Sequence, residues 1–396
     1  MSGGPAGAAP DAPARIAPSW LAEPATRAVL AALAPGRPLF VGGCVRDALM
    51  GREAQDVDLC VACLPERTIQ LLEKAGLKAV PTGLEHGTVT AVAGGRGFET
   101  TTLRRDVATD GRRAEVAFTE DVAEDAARRD FTMNALYADA DGLVLDPLGG
   151  MADLRAGRVR FIGDAATRIT EDYLRILRFF RFTAQHGRAG VDAAGVAACA
   201  AAKGGLARLS RERVGHEMRR LLGAPDPVAA LDAMAAAGVL QEVAPGADAA
   251  ALARLVAAER AAGAAPDWPR RAAAVLAARG DPPDWRLSRA ELARLSAIGR
   301  ALASREGPAA RAHRFGADAA RDAALIEAAR AGGPPPPDLE AALALGAAAE
   351  PPVTAADLMQ AGFRPGPELG EALARLREAW IEGGFAEDRE ALLRRL

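Results

Sequence analysis

The chain predicts an α+β fold, a strand-bearing head followed by an all-helical remainder. Three observations carry that expectation. Strand signals are confined to roughly the first 145 residues and vanish after residue 160. From there an Ala-rich helical pattern runs on, interrupted only at Pro225, Pro266, Pro282-Pro283, Pro334–Pro337 and Pro351-Pro352. The 396 residues, 50% hydrophobic and 26% charged, are enough for two or more domains of a soluble globular protein. Strands first and helices after is the order of an α+β head with a helical body.

The elements follow in order. Residues 1–18, rich in Gly, Ala and Pro and poor in bulky side chains, predict a disordered segment. A helix is expected over 20–33 and a short strand over Pro38–Val41, ending in Gly42-Gly43. Helices fit 44–50, 65–75 and 121–128, and Asp56–Ala62 alternates as a strand. Thr88–Val92 and Phe98–Thr102 are rich in β-branched residues around Gly94-Gly95 and Gly97, the pattern of a hairpin. Met133–Ala138 and Leu143–Leu145 read as strands around the turn Asp141-Gly142. No fixed-period repeat is visible.

Composition excludes several classes. No apolar run reaches the ~18 residues of a membrane helix. The first residues carry no apolar stretch of a secretory signal. Four cysteines exclude a disulfide framework and fit a reducing, cytoplasmic setting; Cys60-Val-Ala-Cys63 reads as buried thiols, since no second pair accompanies it. The net charge of −3 argues against an indiscriminate nucleic-acid coat, yet residues 151–220 hold 14 basic against 7 acidic residues. That local excess is either an anion-binding surface or a solvated helical face.

Three segments carry chemistry. In Phe40-Val-Gly-Gly-Cys-Val-Arg46, Gly42 and Gly43 end a strand and open a helix, where free N–H groups and the helix dipole favour an anion; Arg46 adds a cation in the first turn. Asp56-Val57-Asp58 sets two carboxylates on one face of an extended chain, a repulsion that a cation relieves; hard oxygen ligands with vacant positions suit Mg²⁺ shared with substrate phosphates. Glu99, on a later strand, is placed to supply a third carboxylate or to face solvent. Alone, a Gly-Gly corner or a lone D-x-D is common. Together, a glycine turn, a short helix, D-x-D and a later acid form the layout of polymerase-β-type nucleotidyltransferases, whose carboxylates hold two metals.

Further motifs narrow the resemblance. Gly42-Gly-Cys-Val-Arg-Asp-Ala-Leu-Met-Gly51 with Asp56-Val-Asp58, Arg128-Arg-Asp-Phe-Thr-Met-Asn134 and Glu171-Asp-Tyr-Leu-Arg-Ile-Leu-Arg-Phe-Phe-Arg-Phe182 closely resemble the class II tRNA nucleotidyltransferase and poly(A) polymerase family. The strong resemblance covers about residues 38–222, with a weaker one over Pro365–Gly384. It implies a polymerase-β-like head over 19–150 with a small mixed sheet and flanking helices. A helical neck over 151–225 would read the base, and a helical body and tail over 226–396 would grip tRNA. It also implies Asp56, Asp58 and Glu99 as the catalytic acids and Asp56 and Asp58 as metal ligands. Arg129, Asp130 and Asn134 would meet ribose and phosphates. The scattered histidines, with no His-Asp doublet, make the phosphohydrolase domain of some relatives unexpected.

The helix expected over 170–182, with Thr170 as its cap, has a core stripe of Tyr173, Ile176, Leu177 and Phe180, with Asp172, Arg175, Arg178 and Arg181 away from it. An acceptor beside a donor matches the amine and ring nitrogen that cytosine and adenine both present, and mismatches uracil and guanine. The resemblance assigns that reading to Asp172 and Arg175, and lining of the nucleotide pocket to Arg178 and Arg181. The implied reaction is template-free addition of CCA to the 3′ end of tRNA from CTP and ATP. The rivals are poly(A) polymerase, a CC-only or A-only enzyme and a non-catalytic RNA-binding module. Against poly(A) polymerase, the last residues lack a basic tail: acids at 382, 387, 388 and 390 face Arg389, Arg394 and Arg395. Arg105–Asp125, polar and with a turn at Asp110-Gly111, resembles the mobile loop that CCA-adding members keep.

Overall fold

The computed structural model describes residues 14–54, 56–109, 114–277 and 283–396. The chain forms two compact units. The first runs through Leu209 and includes Ala236–Glu242; the second is Ser210–Ala235 with Val243–Leu396.

The first unit is built on a seven-stranded mixed sheet of β1 (Leu39–Val41), β2 (Leu59–Val61), β3 (Lys78–Gly83), β4 (Thr88–Ala93), β5 (Arg96–Thr102), β8 (Tyr137–Ala138) and β9 (Val144–Leu145), in the order β3-β4-β5-β2-β1-β8-β9. All neighbours are antiparallel except β2 and β5, which run parallel with Leu59 opposite Thr100. Two further strands, β6 (Arg104–Thr109) and β7 (Ala114–Phe118), pair only with each other. Helices α1 (Pro24–Leu33), α2 (Gly43–Leu49), α3 (Pro65–Lys74) and α4 (Val122–Ala127) belong to this head. Helices α5 (Gly150–Ala156), α6 (Ala165–Glu171), α7 (Leu174–His186) and α8 (Ala193–Ala202) follow it. α7 is seated by a phenylalanine cluster: Phe131 lies 5.0 Å from Phe161 and 5.3 Å from Phe182, and Phe161 stacks on Phe179 at 5.4 Å. Rings this close gain more than their buried area alone.

The second unit is helical throughout, from Arg211–Leu222 to Arg389–Leu393. Its interior holds an ionic cluster as well as apolar contacts. Glu259 receives Arg270 at 2.8 Å and Arg271 at 2.9 Å, and Arg271 also donates to the carbonyls of Leu222 and Ala224. All three charged residues are buried.

Several expectations change. Residues 14–18, expected to be disordered, line the sheet beside β9: Ile16 is buried and its N–H donates to the Gly142 carbonyl at 2.8 Å. The rest of that segment, 1–13, lies outside the described residues, as does the turn at Asp110-Gly111. The strand expected over Asp56–Ala62 shortens to Leu59–Val61, so both aspartates stand on its approach. Of Met133–Ala138 only Tyr137–Ala138 is strand; Thr132–Asn134 is a 3₁₀ turn, because the Asp130 carboxylate captures the Phe131 N–H and the Asn134 amide. The helix expected from 170 is two helices. Thr170 is no cap: its hydroxyl donates back to the Thr167 carbonyl inside α6, and Asp172, in extended backbone, breaks the path before α7.

Candidate active site

The glycine turn follows from β1 being held on both sides. The Val41 N–H donates to the Asp58 carbonyl at 3.1 Å and the Gly42 N–H to the Leu136 carbonyl at 3.0 Å. Gly42 then turns at φ 72°, ψ −117°, a conformation open to glycine and closed to a residue with a Cβ, and α2 begins at Gly43. A Cβ at Gly42 would meet Arg129 Nη1 at 3.5 Å, and one at Gly43 would meet Arg46 Nη2 at 3.9 Å. Two guanidiniums therefore flank a turn whose following N–H groups point out of a helix start.

The acids stand beside it. Val57 is buried while Asp56 is exposed and Asp58 half-buried, the alternation of an extended chain. Glu99, exposed on β5, lies next to Asp58 because the parallel register sets Leu59 opposite Thr100. Their closeness shows electrostatically. Burial, then Glu99, then Asp56 push the Asp58 carboxyl up from 3.8 to about 6, against the pull of Arg129. Among the described residues no three His, Cys, Asp or Glu side chains form a group that would enclose an ion unaided.

A buried polar chain links the turn to α7. Arg46, held by Asp47 at 2.9 Å, donates to Asn134 Oδ1 at 2.7 Å. Asn134 Nδ2 donates to Asp130 Oδ1 at 3.1 Å, and Asp130 Oδ2 accepts from Arg178 Nε at 2.7 Å. Although burial raises the Asp130 carboxyl, Arg178, Asn134 and the Phe131 N–H together hold it below its ordinary value. Phe182 serves as a common apolar face: the guanidiniums of Arg46, Arg178 and Arg181 lie 5.3, 5.3 and 4.1 Å from its ring centre. Arg181 is fully buried, unlike a solvated surface arginine.

Asp172 and Arg175 are half-buried at the α6–α7 break, one turn from Arg178. The Arg175 guanidinium is fixed by Glu171, by the Arg168 carbonyl at 2.8 Å and by the Arg128 carbonyl at 3.1 Å. Asp172 Oδ1 accepts the Leu174 N–H at 3.0 Å. The structure thus gathers Gly42, Gly43, Arg46, Arg129, Asp130, Asn134, Arg178 and Arg181 around one frame, and sets Asp56, Asp58 and Glu99 together. Asp172 and Arg175 are joined through the backbone, the Arg175 N–H donating to the Asp172 carbonyl at 3.0 Å, while the Arg175 side chain is engaged by Glu171 and the Arg168 and Arg128 carbonyls.

Sequence reasoning missed Asp125, Tyr137, Glu171 and Phe182 as members of this site. The signal for Asp125 was present: an acid three and four residues before Arg128 and Arg129 on a helix.

Residues 39–160 match the model described as the poly(A) polymerase head domain, and 191–251 the one described as a probable RNA- and SrmB-binding site of polymerase A. Over these residues the chain is similar to the poly(A) polymerase family, and the two matches together cover just under half of it. Among similar proteins, the mouse protein named CCA tRNA nucleotidyltransferase 1, mitochondrial, is 45% identical over 190 residues, 46% of this chain and 43% of the relative. The CCA-adding enzyme of Geobacillus stearothermophilus is 40% identical over 202 residues, 50% of this chain and 49% of the relative. The matched stretch thus spans just under half the length of these relatives. Across nearly the whole chain, the Bacillus stearothermophilus CCA-adding enzyme solved in complex with CTP superposes with a TM-score of 0.69 at 29% identity, covering 91% of this chain and 94% of that one. The Thermotoga maritima CCA-adding enzyme complexed with tRNA shares the fold, with a TM-score of 0.65 at 19% identity over 93% and 97% of the two chains.

Proposed function

We propose that this protein is a CCA tRNA nucleotidyltransferase. It adds the 3′-terminal CCA to tRNA from CTP and ATP without a nucleic-acid template. The observation that carries the reading is the placement of Asp58, repelled by both Glu99 and Asp56, next to a glycine turn flanked by Arg46 and Arg129. The relatives named as CCA-adding enzymes and the CTP-bound structural neighbour support it.

In this reading the helix-opening N–H groups after Gly42 and Gly43, with Arg129 and Arg46, hold the triphosphate. Asp130, Asn134 and Arg178 form a frame for the ribose. Arg178 and Arg181, on the Phe182 face, line the pocket, and Asp172 with Arg175 reads the pairing edge of the base. The RNA 3′-oxygen forms a bond to the α-phosphorus as the bond to pyrophosphate breaks, and the hydroxyl proton must leave. A partly assembled oxygen donor set suits Mg²⁺, which takes one or two carboxylates and completes its shell with phosphates and water. Asp56 and Asp58 are the residues to hold it, and there it would activate the 3′-hydroxyl and stabilise the leaving pyrophosphate. Asp58, whose carboxyl is pushed up to about 6 by burial, Glu99 and Asp56, must be ionised for that, and a cation beside it favours the ionised form. Glu99 keeps the carboxylate field strong enough to favour a cation. Residues 151–225 serve as the neck and 226–396 as the tRNA-gripping body and tail.

Among the described residues no helix is long and apolar enough to cross a membrane. The four cysteines are free thiols, which fits a reducing compartment such as the cytoplasm, although the mammalian relatives are named as mitochondrial. Incorporation of each of the four nucleoside triphosphates on tRNA trimmed of its CCA tests the proposal. CTP should be used, ATP should be used once the two cytidines are in place, and UTP and GTP should be refused at either stage. Use of all four would remove the base-reading assignment, and use of none would remove the activity.

A further inference from the structure

The motifs that carry the resemblance leave the buried carboxylate of Asp125 unexplained. Asp125, on α4, is 1% exposed, and neither of its oxygens is idle. Oδ2 accepts from Arg129 Nε at 3.1 Å, Arg129 Nη2 at 2.9 Å and the Tyr137 hydroxyl at 2.8 Å. Oδ1 accepts from Arg128 Nε at 3.0 Å and from the Arg104 backbone N–H at 3.3 Å. Arg129 lies over the Tyr137 ring, 5.4 Å from its centre, and its Nε shares the Tyr137 oxygen at 3.1 Å. With Nε and Nη2 committed in this way, the planar guanidinium has one orientation, and its remaining nitrogen, Nη1, faces Gly42.

We propose that Asp125, braced by Tyr137, is the positioning residue that aims Arg129 at the glycine turn and fixes the base of the β6–β7 hairpin to the same point. The proposal rests on reading that turn as the triphosphate site. A buried carboxylate is costly unless fully partnered, and five donors on one carboxylate over-determine its place. Burial raises its pKa, but Arg129, Arg128 and the Tyr137 hydroxyl outweigh that and leave it below its ordinary value, so it stays ionised where the site operates. Because Arg104 opens β6, the hairpin and Arg129 share one anchor. A nucleotide of either base meets the same phosphate arm, so disturbing Asp125 affects CTP and ATP alike.

The test is steady-state kinetics, with CTP on tRNA trimmed of its CCA and with ATP on tRNA ending in CC, for wild type, Asp125→Asn, Arg129→Gln and the double variant, each checked by thermal melting. Cytidine, which has no phosphate, serves as a competitive inhibitor. Asp125→Asn should raise KM for both CTP and ATP by about tenfold or more, the scale of a lost charge-assisted hydrogen bond. The inhibition constant of cytidine should stay within about twofold on the same reasoning. Asp125→Asn should add nothing in the Arg129→Gln background. Additive losses, a parallel loss of cytidine binding, or an unchanged KM would overturn the proposal. Should Asp125→Asn fail to fold, Tyr137→Phe decides: KM for both triphosphates should rise with cytidine binding kept, and an unchanged KM refutes the role. A wild type that incorporates no nucleotide overturns the functional reading and this proposal with it. An active wild type with an indifferent Asp125→Asn overturns the proposal alone.

Discussion

Replacing Asp58 by asparagine should make the protein more stable in the absence of divalent metal while destroying its activity. Burial, Glu99 and Asp56 hold the Asp58 carboxyl at about 6 instead of 3.8. Were the group sealed from water, that displacement would correspond to ~3 kcal/mol of strain in the ionised folded state. Asp58 is half-buried, and solvent screening reduces this to ~1–2 kcal/mol. The sign follows from the raised value. The folded protein binds this proton more tightly than the unfolded chain, so the favourable contribution is present below pH 3.8 and is lost as pH rises through about 6. The amide of the Asp58→Asn variant carries no charge at any of these pH values. Thermal melting in EDTA should therefore show Asp58→Asn and wild type close together near pH 4. By pH 7.5 the variant should melt ~2–8 °C higher, given the usual conversion for a unit of about 200 residues. Millimolar Mg²⁺ should lift only the wild type and narrow the gap. A variant no more stable than wild type at pH 7.5, or a gap that does not change with pH, would refute the picture of a carboxylate held under repulsion for a cation.

Asp56→Ala should abolish nucleotide incorporation while circular dichroism and melting stay near wild type; near-normal incorporation would remove the metal-site assignment. Asp172→Ala or Arg175→Ala should loosen base choice, admitting UTP or GTP by roughly 5- to 150-fold relative to CTP and ATP, as expected for a lost polar partner worth ~1–3 kcal/mol; unchanged ratios in competition assays would leave this helix a structural role. Replacing Val107–Glu115 with a short Gly-Ser linker should spare C addition and selectively impair the terminal A, and equal damage to both steps would contradict that. In the second unit, Arg271→Ala leaves buried Glu259 with Arg270 alone and strips the Leu222 and Ala224 carbonyls of their donor, and should cost ~3–5 kcal/mol in urea unfolding, whereas loss of under ~1 kcal/mol would show that the contact is dispensable.

The site was legible where its chemistry is local. Gly42-Gly43, Arg46 and Asp56-Val57-Asp58 announce themselves because a helix opening and an extended chain fix side-chain direction within a few residues. Glu99 was legible as a candidate, but its place beside Asp58 depends on the parallel β2–β5 register, which no short stretch encodes. Strand β3 escaped notice because Lys78–Gly83 sits at the sheet edge with one partner, tolerates Pro81, and has no buried residue to show as alternation. The Arg- and Asp-containing β6–β7 pair read as a loop for a similar reason: it pairs only with itself. The break at Asp172 was hidden because Thr170-Glu171-Asp172 has the composition of a helix cap and first turn. In the structure Glu171 closes α6 instead, with its carboxylate holding both Arg168 and Arg175. Phe182 looked like one more apolar residue, and its three arginine neighbours come from two separate helices.

The central claim is tested most directly by sizing and sequencing the 3′ ends made on tRNA that lacks its terminal CCA, with CTP alone, ATP alone and both together. CTP alone should give two added cytidines and then stop. ATP alone should give essentially no extension, and the two together should give CCA with a single A. A run of adenosines from ATP alone would identify a poly(A) polymerase, and a halt after CC with ATP present would contradict a pocket that serves both bases.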